Sequence, residues 1–298
     1  MQDVLVPLGD AIFLIVGPFH GKFPDSFSFL IDTDPVTIVD TGFSPEVATW
    51  LRDTYRPARV INTHSHIDHC RQNVVFEGCE IWVPEMTADT FGVVDLLAPR
   101  FCDEPLAADN WSRAIRDELL YIEANPAFTH TFGDGHVFDC GRVRLRAIHA
   151  PGHLDDHFVF FEENSGLALT VDIDLTKFGP WYGNPESDIP RFRASVEAVR
   201  DLRPRVVASA HRMPIRDGID AELAAYARRF DENGERILAL LDHPATMAQL
   251  VETKPFYRTH PHRQTLLRFF EKQMIGKHLR IFEEEGRVIE RDGVYERV

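Results

Sequence analysis

Apolar positions in the first sixty residues fall in short runs divided by turn-forming residues. The runs over 11–16, 27–32 and 36–39 read as strands. They are followed by the turn Asp40-Thr41-Gly42, a helical period over 45–55 and a further strand over 60–62. From 81 to 127 the spacing lengthens towards a helical period, clearest over 107–124. Strands return at 137–138, 143–148, 158–162 and 167–171, and a helix over 189–202 leads into a strand over 205–209. Helix-then-strand order thus occurs twice, in two β-rich halves. That pattern predicts an α/β chain folded as an αββα sandwich, two sheets face to face with helices outside, with 81–130 a helical insertion over one face.

Beyond residue 219 the pattern changes. Helical periods over 221–241, 246–253 and 262–285 precede two short β runs, 287–290 and 294–297, joined by Asp292-Gly293, a strong hairpin signal. Three helices and a terminal hairpin read as a small winged-helix-like domain, with His243-Pro244 turning the chain into its second helix. The expected division is 1–218 and 219–298.

Of 298 residues, 44% are hydrophobic and 27% charged, the profile of a globular chain with a sizeable core. The formal net charge of -15 argues against nucleic acid as a partner. Most of that charge lies before residue 219, since the tail holds 14 acidic and 13 basic side chains. No apolar run is long enough for a membrane span, and the N-terminal residues lack the features of a signal peptide, so a cytoplasmic protein without a membrane partner is expected. Cys70, Cys79, Cys102 and Cys140 include no C-x-x-C pair and read as buried free thiols.

Histidine carries the chemistry. The segment Thr63-His64-Ser65-His66-Ile67-Asp68-His69 follows the strand over 60–62. In an extended stretch His64 and His66 point the same way and can grip one cation, and a turn into helix would swing Asp68 and His69 towards a second. More donors are then required, and three later strands lead into them: His153 after 143–148, Asp172 after 167–171 and His211 after 205–209. Strand carboxyl ends are where sheets flanked by helices place ligands.

With these residues the chain resembles the metallo-β-lactamase superfamily of metallo-hydrolases. The resemblance rests on the complete H-x-H-x-D-H motif (His64, His66, Asp68, His69), the Asp-Thr-Gly at 40–42, the Pro-Gly-His at 151–153, Asp172 and His211, and covers about residues 9–215. The tail is similar to the winged-helix extension of some hydrolytic members. The resemblance implies that His64, His66 and His153 bind one metal ion, that Asp68, His69 and His211 bind another, and that Asp172 bridges the two. Members usually carry Gly-Asp at the bridging position, whereas here it is Val171-Asp172, with Asp174 as a second candidate. Asp40 is implied to orient the histidine loop.

Two divalent ions, zinc by default and iron or manganese with the same donors, would acidify a shared water to hydroxide near neutral pH. The expected activity is hydrolysis of a small ester, thioester, lactone or amide, with Asp68 doubling as proton acceptor. Two alternatives are an iron-dependent sulfur or oxygen oxidoreductase of the same fold and a metal-dependent ribonuclease or phosphodiesterase. Di-iron oxygen-reducing relatives typically have a glutamate where this chain has His66, and the acidic charge opposes the nuclease. No G-x-S-x-G elbow or phosphate-binding G-x-x-x-x-G-K-[ST] occurs, and Gly133-x-Gly135 is no dinucleotide fingerprint.

The partner is expected to be a small molecule, and self-association into a homo-oligomer is left open. Further site candidates are His20 in a Gly/Pro loop, His157 as a packing or supporting residue, and the aromatic run 178–184, including Tyr182, as a pocket wall. His243, His260, His262 and His278 read as surface residues of the tail.

Overall fold

The computed structural model describes residues 4–17, 19–258 and 264–298; His260 and His262, read above as tail-surface residues, lie outside them. A seven-stranded sheet follows chain order: β1 (Leu5–Pro7), β2 (Ile12–Ile15), β3 (Ser28–Ile31), β4 (Thr37–Val39), β5 (Arg59–Ile61), β6 (Glu80–Pro84) and β7 (His130–Phe132). The first four strands pair antiparallel and the last four parallel. A parallel pair needs a crossover, and α1 (Pro45–Tyr55) supplies it between β4 and β5. Ser44 accepts a hydrogen bond from the Val47 amide, and Pro45 sits in the first turn, where its missing N–H costs nothing.

The second sheet has the order β12 (Val206–Ser209), β11 (Leu167–Val171), β10 (Phe158–Glu162), β9 (Val143–His149) and β8 (Val137–Cys140). Its pairs are antiparallel except β11 with β12, which α5 (Ile189–Asp201) connects. Alternation along the strands assigns the layers. Phe29 and Ile31 join Leu145, Phe158, Phe160 and Leu169 in the core between the sheets. Leu30, Ile38 and Val60 face outward onto Val47 and Leu51 of α1. On the other side Val159, Ala168 and Val207 pack under α5 and α6 (Ile219–Ala239). The layers run αββα, as expected.

The segment 81–130 is a helical insertion in its middle, where Phe101, Trp111, Ala114 and Ile115 line a cavity, but not at its ends. It opens on β6 and closes on β7, both members of the first sheet. Ile81, Trp82 and Val83 form a short continuous apolar run, which periodicity cannot distinguish from a helix. The helix expected over 107–124 is α4 (Pro105–Arg113) after α3 (Val94–Phe101); it widens into a π turn at Ala114–Glu118 and ends at Leu120 with φ 52°.

The tail continues from α6 with β13 (Ala245–Thr246), α7 (Met247–Glu252), α8 (Gln264–Glu284), β14 (Val288–Arg291) and β15 (Val294–Arg297); the strands form a sheet of order β13-β15-β14. Asp292 and Gly293 both have positive φ, as a two-residue hairpin turn demands. Among the described residues, no helix is long and apolar enough to cross a membrane.

α8 is bound to the sandwich through polar contacts. The Tyr182 hydroxyl shares a 2.8 Å hydrogen bond with His278 Nε2 and accepts one from Asn233 at 3.0 Å. Lys277 Nζ, also buried, donates to the Asn184 carbonyl at 2.7 Å. His278 is therefore an interior residue rather than a surface one, and Tyr182 belongs to this seam rather than to a pocket wall. Both serve here because the seam is apolar enough to bury them yet offers each polar tip a partner.

Burial lowers the His278 pKa from near 6.5 to about 4. Between those values the unfolded chain binds a proton that the folded chain refuses, so stability falls as pH drops through that window. We expect His278→Phe to lose less stability than the wild type between pH 7 and 4.5, by roughly 2–3 kcal/mol in urea unfolding. Parallel curves for the two proteins would refute this.

Candidate metal centre

The strand ends converge. Asp40 follows β4, Thr63 and His64 follow β5, His153 follows β9, Asp172 follows β11 and His211 follows β12. His66, Asp68 and His69 come from the same loop as His64 and from the single turn α2 (Ile67–Cys70) that it enters. His64, His66, His153 and Asp172 each bring a ligand atom within 4.8 Å of one another, and Asp68, His69 and His211 form a second such group. All seven residues implied by the resemblance are thus gathered at one place.

Asp172 lies between the groups. Its Oδ2 is 3.1 Å from His153 Nε2 and 3.9 Å from His64 Nε2, and its Oδ1 is 3.1 Å from His69 Nε2 and 3.6 Å from His211 Nε2. Asp174, the other candidate, turns away: its carboxylate accepts hydrogen bonds from the Thr176 amide and hydroxyl. Val171, buried just before Asp172, has φ 51°, a left-handed conformation that costs a β-branched residue and that glycine adopts freely. Glycine would adopt that conformation without cost, whereas this chain reaches it with a strained valine.

The far side of each imidazole determines what its near side offers. His69 Nδ1 donates to Asp40 at 2.8 Å, His153 Nδ1 to the Trp181 carbonyl at 3.0 Å and His211 Nδ1 to the Gly21 carbonyl at 2.6 Å. The Thr63 hydroxyl donates to Asp40, so it accepts from His64 Nδ1, and His66 Nε2 faces Asn184 Oδ1. In its neutral form each ring would therefore turn an unprotonated nitrogen inward. His66 Nδ1 stands 3.1 Å from His64 Nε2 and 3.0 Å from His153 Nε2, an approach of lone pairs that requires positive charge among them. His69 Nε2 and Asp172 Oδ1 are buried without a hydrogen-bond partner. A cage made of acceptors, with two of its atoms orphaned, fits a divalent cation of the kind bound by imidazole and carboxylate.

Titration follows the same logic. Burial, with help from neighbouring imidazoles, holds His64 and His66 well below the ordinary histidine value, in the neutral form that ligates. Burial opposes charge on His69 and His153 as well, but the Asp172 carboxylate prevails and raises both. Asp172 itself is held well below the usual carboxylate range: burial acts against this, and His69, His153 and His211 outweigh it.

Supporting residues complete the picture. Asp40 also accepts from the Thr63 amide, locking the histidine loop to β4. A Cβ on Gly42 would fall 2.0 Å from the Asp68 carbonyl oxygen, so the third residue of the Asp-Thr-Gly turn must be glycine for the loop to approach. His157 donates through Nδ1 to the Ala150 carbonyl and accepts the Asp172 amide at Nε2; it positions the bridging candidate's backbone and is no ligand. His20 is exposed beside the cavity, and its neighbours Gly21, Lys22 and Phe23 line that cavity instead. Asn184 and the carbonyls of Gly21 and Trp181 were not singled out from sequence. A carbonyl has no sequence signature, and Asn184 lay in the aromatic run without a motif of its own.

The family model described as "Metallo-beta-lactamase superfamily" matches residues 21–211. The chain belongs to that superfamily. Its members are mostly hydrolases. The chain is 25% identical over 273 residues to "Probable metallo-hydrolase YqjP" of Bacillus subtilis, a match covering 76% of this chain and 80% of that protein. It is also 32% identical over 124 residues to an "Atrochrysone carboxyl ACP thioesterase" of Pseudocercospora fijiensis, covering 37% of this chain and 35% of that one. The chain therefore matches about a third of that thioesterase's length. A solved metallo-beta-lactamase family protein of Thermus thermophilus has the same fold, with a TM-score of 0.77, 22% identity, and coverage of 98% of this chain and 100% of that one.

Asp40→Ala frees His69 Nδ1 and leaves the ring without its orienting partner. Metal affinity measured by chelator competition should fall by roughly 10–100-fold. An unchanged affinity would mean that His69 is not held for ligation by this contact.

Proposed function

We propose that this superfamily member is a binuclear metallo-hydrolase acting on a small ester, thioester, lactone or amide. The observation that carries the reading is the division of Asp172, one carboxylate oxygen towards His64 and His153 and the other towards His69 and His211. In this reading His64, His66 and His153 would hold one divalent ion and Asp68, His69 and His211 the other, with Asp172 available to both. Zinc is the default for such a donor set, and iron or manganese would also be accepted. What such ions supply is Lewis acidity and a water that ionises near neutral pH.

The side chains do the rest. Asp68 lines the cavity with Oδ2 3.7 Å from His211 Nε2 and 3.8 Å from His69 Nε2, placed to receive a proton as the scissile bond breaks. Asp40, Asn184 and the Gly21 and Trp181 carbonyls keep the imidazoles aimed through the reaction, so little reorganisation accompanies charge development. The thioesterase names among the relatives support an acyl substrate.

We also read residues 219–298 as a winged-helix-like module, on its helix–strand–helix–helix–strand–strand order. α8 places Leu266, Leu267 and Phe270 in the cavity lining, which supports a role in shaping the site for a small molecule rather than in reading nucleic acid.

His66→Ala and Asp172→Ala should each lose bound metal, by elemental analysis, and about 1,000-fold or more in kcat/KM on a chromogenic ester, with circular dichroism unchanged. Asp174→Ala should lose far less. Full turnover by Asp172→Ala would overturn the bridging assignment.

A further inference from the structure

The cavity beside the cluster has a volume of about 630 Å³, within the range that encloses a drug-sized molecule. Two aromatic rails lead away from the imidazoles. One runs from His66 to Phe101, 5.1 Å between ring centres, and on to Trp111 at 5.4 Å. The other runs from His153 to Trp181 at 5.6 Å and on to Phe270 of α8 at 5.2 Å. Leu267, also of α8, lines the space with them. Of the carboxylates in the lining, those of Asp68 and Asp172 belong to the metal-competent edge and that of Asp174 is taken up by Thr176, and the one Lys or Arg side chain of the lining among the described residues is Lys22.

We infer that the substrate's acyl group is an apolar chain seated between these rails, with its carbonyl at the imidazole edge, and that Leu267 and Phe270 of the C-terminal module set how long that chain can be. Along Phe101, Leu267 and Phe270 a polar acyl group would surrender its hydration with few partners to gain, the Trp181 indole N–H already donating to the Tyr257 hydroxyl, whereas each methylene is favoured there. The identification of the group as acyl rests on the hydrolase reading above; the apolar occupancy of the cavity does not. In the reaction the oxygen of water bonds to the acyl carbon, the bond to the leaving oxygen or sulfur breaks, and the leaving group departs with a proton. The products are a fatty-acid-like carboxylate and an alcohol or thiol, and no oxidant is needed.

The test uses the metal-loaded full chain with decanoate and acetate, two carboxylates that differ only in their apolar part. By calorimetry decanoate should bind about 100-fold or more tightly than acetate. Leu267→Trp, which fills the space, should cut that ratio at least about tenfold, and should lower the kcat/KM ratio of 4-nitrophenyl decanoate to 4-nitrophenyl acetate in step. Phe270→Ala, which enlarges the space, should move the ester preference towards longer chains. Equal affinities for the two acids, or a ratio that neither variant alters, would overturn the inference. A large decanoate preference without turnover of any ester would uphold the apolar site and count against the hydrolase, and turnover without chain-length preference would do the reverse.

Discussion

The structure is organised around a concentration of acceptors. Five imidazole nitrogens and the oxygens of Asp68 and Asp172 face one another in a space closed to solvent on most sides, and acceptors at hydrogen-bonding distance repel unless positive charge lies among them. That requirement accounts for the outward hydrogen bond of each ring, the ionised state of Asp172 and the raised basicity of His69 and His153. It also accounts for local strain, since Val171 accepts a left-handed backbone and Gly42 gives up a side chain so that the donors can meet.

Rigidity is supplied from outside the cluster. Arg100 of α3 donates to Ser65 within the histidine loop and forms an ion pair with Glu186, which in turn accepts the Asp155 amide beside His153. Arg71, just past α2, pairs at 2.6 Å with the buried Asp25, at the end of the loop whose Gly21 carbonyl orients His211. Lys277 of α8 holds the Asn184 backbone, and the Asn184 side chain faces His66. The histidine loop and the loop bearing His153 are thus each tied to a second element, and one tie crosses to the tail. Buried charge-assisted bonds of this kind resist removal of one partner because the other is left uncompensated.

The tail acquires its place from the same contacts. With the Tyr182–His278–Asn233 network and Lys277 on one side and Leu267 and Phe270 on the other, α8 is at once an anchor and a wall.

The sequence alone determined the layers and pointed to the candidate donors. Alternation of period two and helical periods of 3.6 report which face of an element is buried, and donors spaced one to three residues apart at strand ends are constrained by local geometry that a single chain displays. Hence the sandwich and the candidate donors at strand ends were legible, while the grouping of seven and the supporting place of Asp40 came from the resemblance to the superfamily. What only the tertiary structure decided depends on contacts between distant segments. β6 is a buried parallel strand, apolar on both faces, so Ile81–Trp82–Val83 carried no period. Tyr182 and His278, 96 residues apart, reveal their roles only when α8 docks. Backbone carbonyls have no letter in the sequence, so Gly21 and Trp181 could be recognised as orienting partners only once the fold had brought them to His211 and His153.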